Sequence, residues 1–418
     1  MNLTIYPWKP AASCRRHGSG SDKLTAMRIL VVSDISGYCR GGVPAETRLL
    51  LNGLRERGHV VALAGDIPLS GVNDARHFPV PGAIGSTFAA EIPAIIAEFR
   101  PDFVHVMHLG GSQLLKLARV LRDFPWACTV HAVTPLERKL HGIHGHEELH
   151  YIMRAIVYAG NAFLWRRVYR SRIIPNVVVH NEEFRNLLVA QGFPANAIRV
   201  IPLSFAPDRA PRSSEHVSAY CGPDPLLVTV GGIAHTKGQH DAVTAVAALR
   251  GYFPRLRYQV VGEIRDSSYL AYLRRRIRCL DLADRVTIST DFTDVQVRRV
   301  LRDADLYIQP SHEEGFCLAF AEAAAIVPRL LGTLTGAIAD ISAGDPGARV
   351  VPIRSPAALA AAARELLATE LAGGHMEQRW RRLSDQFSRD AYLRAHEELY
   401  QSGDAVRSVR AAVPARQS

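Results

Sequence analysis

Leu226-Leu227-Val228-Thr229-Val230-Gly231-Gly232-Ile233-Ala234-His235-Thr236-Lys237-Gly238 is a short apolar run that ends in glycines and opens a helix. An unbroken row of β-forming apolar residues suits a strand covered on both faces, as in a parallel sheet. The same arrangement begins near the amino end with Arg28-Ile29-Leu30-Val31-Val32-Ser33, then Gly41-Gly42 and a helical pattern carrying Leu49, Leu50 and Leu54. Between the two lie further strand patterns at 60–63, 103–106, 127–131, 177–179 and 198–201, with helical patterns at 89–99 and 114–121. After residue 230 the alternation continues through strands at 258–261, 286–289 and 306–309. Strand, helix, strand repeated in this way predicts parallel sheets joined by right-handed crossovers. From 206 to 224 the pattern lapses into Ala-Pro-Asp, Ala-Pro-Arg, Ser-Ser and Gly-Pro, which is linker chemistry. The fold expected is α/β, with two doubly wound Rossmann-like domains facing across a cleft, and ligands beyond the carboxyl ends of the strands.

The boundaries that follow are a disordered extension at 1–26, a first domain at 27–205, a linker at 206–224 and a second domain at 225–390. A terminal helix at 391–402, crossing back to the first domain, and a disordered tail at 403–418 complete the chain. The extension holds Pro7, Pro10, Arg15, Arg16 and Gly18-Ser19-Gly20-Ser21, without the apolar stretch of a signal peptide. A chain of 418 residues exceeds what one core usually supports. It is 48% hydrophobic and 22% charged, and no run approaches the roughly 18 apolar residues that span a bilayer. The net charge of +10 suits nucleic acid, an anionic membrane or a polyphosphate ligand, and charge alone does not choose. No nucleic-acid reading module accompanies it, so a nucleic-acid partner is not expected. Cys14, Cys39, Cys128, Cys221, Cys279 and Cys317 form no C-x-x-C, which points to a reducing cytoplasm.

Two segments carry chemistry. In the first, Gly231 and Gly232 let backbone approach a phosphate and Lys237 adds a full charge; a plain βα turn with a surface lysine reads equally well. The second is Pro310-Ser311-His312-Glu313-Glu314-Gly315-Phe316-Cys317-Leu318-Ala319-Phe320-Ala321-Glu322-Ala323. A strand feeds a polar turn there, and a buried helix is expected over residues 316–325. Glu322 among apolar neighbours is costly unless a hydrogen bond compensates. Eight residues of helix would separate Glu314 from Glu322 by roughly 12 Å. That exceeds the roughly 5–9.5 Å of a glycosidase pair and suits a clamp on a long ligand. The plainer reading makes Glu314 a helix-end charge and Glu322 a core-edge residue.

V-G-x-I-x-x-x-K-G (230–238) followed by P-S-x-x-E-G-F-x-x-x-x-x-E-A (310–323) resembles glycosyltransferase family 4, the former group 1. The amino half agrees at residues 27–34, at Gly41-Gly42-Val43, at Arg57-Gly58-His59, at His131 in Thr129-Val130-His131 and at Val200-Ile201-Pro202. The resemblance covers about residues 27–402 and implies the GT-B fold, a nucleoside diphosphate sugar donor, retention of anomeric configuration, and no metal or other cofactor. It implies that Lys237 binds the diphosphate, Glu322 the ribose, and Glu314 with the amides of Gly315, Phe316 and Cys317 the transferred sugar. It further implies that Gly41 and Gly42 close over the phosphates and that His131 contacts the sugar near the reacting carbon. Thr290 and Phe292 are candidates for the base, and the turn Thr333-Leu334-Thr335-Gly336-Ala337 falls beside the site.

One departure bears on the phosphates. The family's arginine five residues before the lysine is Gly232 here, leaving Arg40, Arg265 or His235 to supply that charge. The turn after the second glutamate, Ala325-Ile326-Val327-Pro328, also lacks the usual glycine. Residues 151–169 combine Ile152, Ile156, Phe163 and Trp165 with Arg154, Arg166 and Arg167, which reads as a helix on an anionic membrane surface or as a core helix with solvated arginines. His141, His144, His146 and His150 match no standard metal spacing and suit an acceptor pocket. The acceptor, whether a sugar, a lipid-linked group or a small molecule, is not readable. A GT-B phosphorylase and an inactive GT-B binding protein are the rival functions; a dehydrogenase is disfavoured because no G-x-G-x-x-G follows either first strand.

Overall fold

The computed structural model describes residues 25–33, 42–66, 68–69, 71–72, 75–80, 88–109, 111–131, 174–205 and 224–411. Gly41, Arg40, the histidines at 141–150, the stretch 151–169 and residues 206–223 of the expected linker lie outside them.

Seven parallel strands form the first sheet: β1 (Arg28–Ser33), β2 (Val60–Gly65), β3 (Arg76–Pro79), β4 (Phe103–His108), β5 (Trp126–Thr129), β6 (Val177–Val179) and β7 (Ile198–Val200). Their order is β3-β2-β1-β4-β5-β6-β7. The second sheet holds β8 (Leu226–Val230), β9 (Arg257–Val261), β10 (Val286–Ser289), β11 (Leu306–Gln309), β12 (Arg329–Thr333) and β13 (Ala348–Val351), in the order β10-β9-β8-β11-β12-β13. The inner strands are buried through their middles; Ile29 to Val32, Val177 to Val179 and Leu306 to Ile308 are fully covered. Strand order reverses between β1 and β4 in one sheet and between β8 and β11 in the other. Those two switch points are where a doubly wound sheet opens a crevice at its carboxyl edge.

Three strands escaped the sequence reading. β3 is an edge strand ending in Pro79, which an edge tolerates because one side needs no donor. β12 begins with Arg329, an unpromising residue for a buried strand, yet it is 1% exposed. Its guanidinium donates to the carbonyls of Leu366 and Thr369, which satisfies the buried charge. β13 carries Arg349 in an otherwise apolar run, and that arginine pairs with Glu365.

The helix Arg389–Ala411 extends past the end expected at 402 and lies on the first domain. It packs on the helix Gly42–Glu56 at Gly53, where a Cβ would sit 2.5 Å from Leu393 Cδ2. Glu397, 1% exposed, accepts from Arg57 Nε at 2.9 Å and faces His59 Nε2 at 3.0 Å. Among the described residues no helix is long and apolar enough to cross a membrane.

Removing one partner of a buried ion pair leaves the others uncompensated, at about 3–5 kcal/mol. Glu397→Ala is therefore expected to lower stability to denaturant by about 3 kcal/mol; an unchanged unfolding midpoint would show that this helix is not clamped by its charge.

Candidate active site

The turn after β8 places Lys237. Gly238 has φ +61, and a Cβ there would lie 2.0 Å from the Pro310 carbonyl oxygen. Only glycine allows both the left-handed backbone and that approach. The amides of His312 and Glu313 donate to the Thr236 carbonyl at 2.8 and 3.3 Å, tying the turn to the loop after β11. Across this junction Lys237 Nζ meets Glu314 Oε2 at 2.7 Å.

Glu314 is 7% exposed, and its partners account for the burial. Oε1 accepts from Ser311 Oγ at 2.6 Å and from Gln309 Nε2 at 3.1 Å, and Tyr307 donates to Gln309 Oε1 at 2.5 Å. The Glu314 amide donates to Thr335 Oγ1 at 3.1 Å. Burial alone would lower the Lys237 pKa, but the Glu314 carboxylate more than reverses this and raises it, so the ammonium stays charged. Cys317 follows with φ 75, a left-handed conformation rare for a residue with a side chain. Burial pushes its thiol pKa well up, with Glu314 adding to the effect, so it is no thiolate nucleophile.

The first domain closes on this loop. A Cβ on Gly315 would sit 2.3 Å from the His131 carbonyl oxygen. Asn181 Nδ2 donates to the Gly315 carbonyl at 2.6 Å, and the Gly336 amide donates to Glu183 Oε2 at 3.0 Å. Glu46 Oε2 lies 3.3 Å from His131 Nδ1 and 3.2 Å from His180 Nε2. Burial would raise the Glu46 pKa, yet His180 and His131 hold it down at about 2. A cavity of about 450 Å³ runs between the two halves, lined from the first by Val43, Glu46, His131, His180 and Leu203. The second domain contributes Gly231, Gly232, Lys237, Arg265 and Glu314 through Ala319.

Of the expected residues, Lys237, Glu314, Gly315, Phe316, Cys317 and His131 therefore share one cavity. Gly42 begins the helix whose next residue, Val43, lines it. Glu322 corrects the sequence reading: it is exposed, so the desolvation argument does not apply to it. The helix is Leu318–Ala324 rather than 316–325, and the 12 Å spacing built on a continuous helix loses its basis. Thr290 and Phe292 lie beyond the edge strand β10 and are not among the lining residues. Gly232 also gains a reason. A Cβ there would lie 2.7 Å from Arg265 Cγ, so the Arg265 side chain occupies the place a residue at 232 would fill. His235 is held neutral by burial and by His312, which lower its pKa, and brings no charge.

Sequence reasoning missed Glu46, His180 and Gln309. His180 follows directly after β6, and its position at a strand's carboxyl end was the available signal. Glu46 gave none.

Two facing doubly wound sheets with a site at their switch points define the GT-B architecture. The model "Glycosyl transferases group 1" matches residues 217–385, and "Glycosyl transferase 4-like domain" matches residues 41–204. The chain belongs to the group 1 glycosyltransferases. It is 32% identical to the glycogen synthase of Mycobacterium tuberculosis over 271 residues, 64% of this chain and 61% of that one. It is 29% identical over 248 residues to the D-inositol 3-phosphate glycosyltransferase of Kineococcus radiotolerans, 55% and 57% of the two chains. The matched region thus spans about three fifths of these relatives' length. In fold, the chain is similar to a glycosyltransferase of Rickettsia africae, with TM-score 0.69, 18% identity and coverage of 91% and 99%. It is also similar to Anabaena HepE in complex with UDP-glucose, with TM-score 0.66, 15% identity and coverage of 91% and 100%.

Gly238→Ala should cost at least about 2 kcal/mol, because strain in the left-handed region and the clash with Pro310 add. Chemical denaturation reads it; a midpoint equal to the parent's would mean the turn relaxes freely.

Proposed function

We propose that the chain is a retaining glycosyltransferase that moves a sugar from a nucleoside diphosphate donor to an acceptor hydroxyl, in glycan, polysaccharide or glycoconjugate synthesis. The observation that carries this reading is the cavity where two cations, Lys237 and Arg265, meet the loop from Glu314 to Cys317. A diphosphate needs fixed positive charge where its leaving charge develops, and preorganised cations and amides supply it without reorganisation. The complexes of HepE with UDP and with UDP-glucose support a nucleotide sugar as the co-substrate.

In the reaction, the diphosphate departs toward Lys237 while the acceptor hydroxyl attacks the same face of the sugar. A phosphate oxygen takes the hydroxyl proton, so no protein base has to be placed. Glu314, already held by Ser311, Gln309 and Lys237, positions the sugar with the amides of Gly315, Phe316 and Cys317. His131 lies under the sugar, Gly41 and Gly42 border the phosphates, and Glu322 takes the ribose. Arg265 replaces the arginine that position 232 lacks. The free thiols of Cys128, Cys279 and Cys317 suit a cytoplasmic enzyme. Acceptors are sugars, lipid-linked groups or small molecules; residues 151–169 are where contact with an anionic membrane would be sought.

A ligand-shift screen against nucleotide sugars tests the donor, and NMR of the product tests the anomeric outcome; an inverted linkage would contradict retention. Each lost charge-assisted hydrogen bond is worth about 1.5–3 kcal/mol. Arg265→Ala should therefore weaken donor binding by about ten- to a hundredfold. Lys237→Ala should weaken it at least as much, and Glu322→Ala should weaken nucleotide binding. Donor affinity unchanged in Arg265→Ala would remove that residue from the phosphate site.

A further inference from the structure

On the first-domain wall of the cavity a carboxylate meets two imidazoles, and their arrangement decides which ring carries the charge. Glu46 Oε2 lies 3.2 Å from His180 Nε2 and 3.3 Å from His131 Nδ1, and the two ring nitrogens are 3.4 Å apart. The three groups come from the helix Gly42–Glu56 and from the turns after β6 and β5. Glu46 and His180 are buried, whereas the His131 side chain keeps 16% of its surface exposed.

The outer atoms fix half of the protons. His131 Nε2 lies 2.7 Å from the Met107 carbonyl oxygen, and His180 Nδ1 lies 3.1 Å from that of Ile201. A carbonyl only accepts, so both of these nitrogens carry hydrogen and donate. Glu46 Oε1 accepts from Tyr392 Oη at 3.0 Å. Against the cost of burial, His180 and His131 hold the Glu46 pKa down at about 2, so the acid is ionised. An ionised carboxylate at this depth needs a cation beside it.

His180 meets that need. With hydrogen on both nitrogens it donates to the Ile201 carbonyl and to Glu46, and no N–H is left unpaired. Burial would lower the His180 pKa, but the Glu46 carboxylate more than reverses this and raises it. A second proton, on His131 Nδ1, would set two imidazolium rings 3.4 Å apart against one carboxylate, with the extra charge uncompensated. Without it, His131 Nδ1 accepts from the His180 Nε2–H, which it shares with Glu46.

The other groups facing the cluster leave this balance intact. His105 on β4 and His396 on the terminal helix are held neutral by burial, His396 at about 4. Burial pushes the phenols of Tyr392 and Tyr400, from the same helix, well up. Glu183, on the same element as His180, accepts from the Gly336 amide. Lys237, Arg265 and Glu314 line the cavity from the other domain.

We propose that His180 is a positioning residue for His131: paired with Glu46 it holds the cluster's positive charge and donates to His131 Nδ1, keeping the ring beneath the sugar neutral and in its Nε2–H tautomer. The consequence for the sugar rests on the sugar-transfer reading; the placement of the protons does not. As the diphosphate departs, positive charge grows at the sugar carbon, as it does in glycoside cleavage. An imidazolium beneath that carbon would oppose the charge, whereas a neutral ring backed by a balanced ion pair does not. The pair lasts while His180 is charged and is lost as pH rises through its raised pKa. On the acid side it is lost only as pH falls through about 2, where Glu46 takes a proton.

NMR of the full chain with 15N-labelled histidine tests this, because ring-nitrogen shifts separate charged rings from each neutral tautomer. Among the 17 histidines, signals are assigned by their loss in His131→Gln and His180→Gln. In the parent at pH 7, His180 should carry hydrogen on both nitrogens and His131 on Nε2 alone. His180 should discharge only above the ordinary histidine midpoint of about 6.5. Glu46→Gln should move the His180 midpoint down by at least about one pH unit. His180→Gln keeps an N–H but not the charge, so Glu46 should then draw a proton onto His131 and raise its midpoint by at least about one unit. Circular dichroism checks that each variant is folded, and the parent spectra decide the proton placement without them. The proposal is overturned if His131 is the charged ring in the parent, if His180 is neutral at pH 7, or if folded His180→Gln leaves the His131 titration where it was. The donor screen decides the sugar-transfer reading separately, so the two fail by different measurements.

Discussion

A buried carboxylate with a half-buried cation against it organises this molecule. Glu314 cannot lie 7% exposed without compensation, and the second domain is built to provide it. The strand β11 ends in Gln309 and continues to Ser311, both turned onto Oε1. The turn after β8 delivers Lys237 onto Oε2, and its approach depends on Gly238 having no side chain. Tyr307, beneath, orients Gln309 by donating to it. The pair is thus held by the fold's own hydrogen bonds.

The first domain is fitted to that loop rather than merely adjacent to it. The Gly315 backbone passes so close to the His131 carbonyl that no side chain fits between them, and Asn181 bonds the Gly315 carbonyl. Behind His131 lie Glu46 and His180, and behind Glu46 lies Tyr392 from the terminal helix. The chain's last helix therefore reaches the cavity wall through a single hydroxyl. Its ion pairs with Arg57 and its seat at Gly53 fix where that hydroxyl stands.

The sheets were legible where strands are covered on both faces, because an unbroken apolar run has few other uses. Arg76–Pro79 and Arg329–Thr333 were not, since an edge proline and a buried arginine argue against strand until their partners are seen. The site was legible where its residues are neighbours in sequence, as from Ser311 to Cys317. Glu46, His180 and Tyr392 meet only through packing, and each alone reads as an ordinary helix or strand-end residue. Glu322 was misjudged for a local reason: the left-handed Cys317 delays the helix, and the side chain emerges to solvent.

The central claim is that Lys237 and Glu314 form the floor of a nucleoside diphosphate site. A crystal structure with a bound nucleoside diphosphate tests it directly. The account predicts a phosphate oxygen within about 3 Å of Lys237 Nζ, with the Arg265 guanidinium turned toward the same diphosphate. A diphosphate bound away from both cations, with the Lys237–Glu314 contact still at 2.7 Å and the cavity empty, would contradict it.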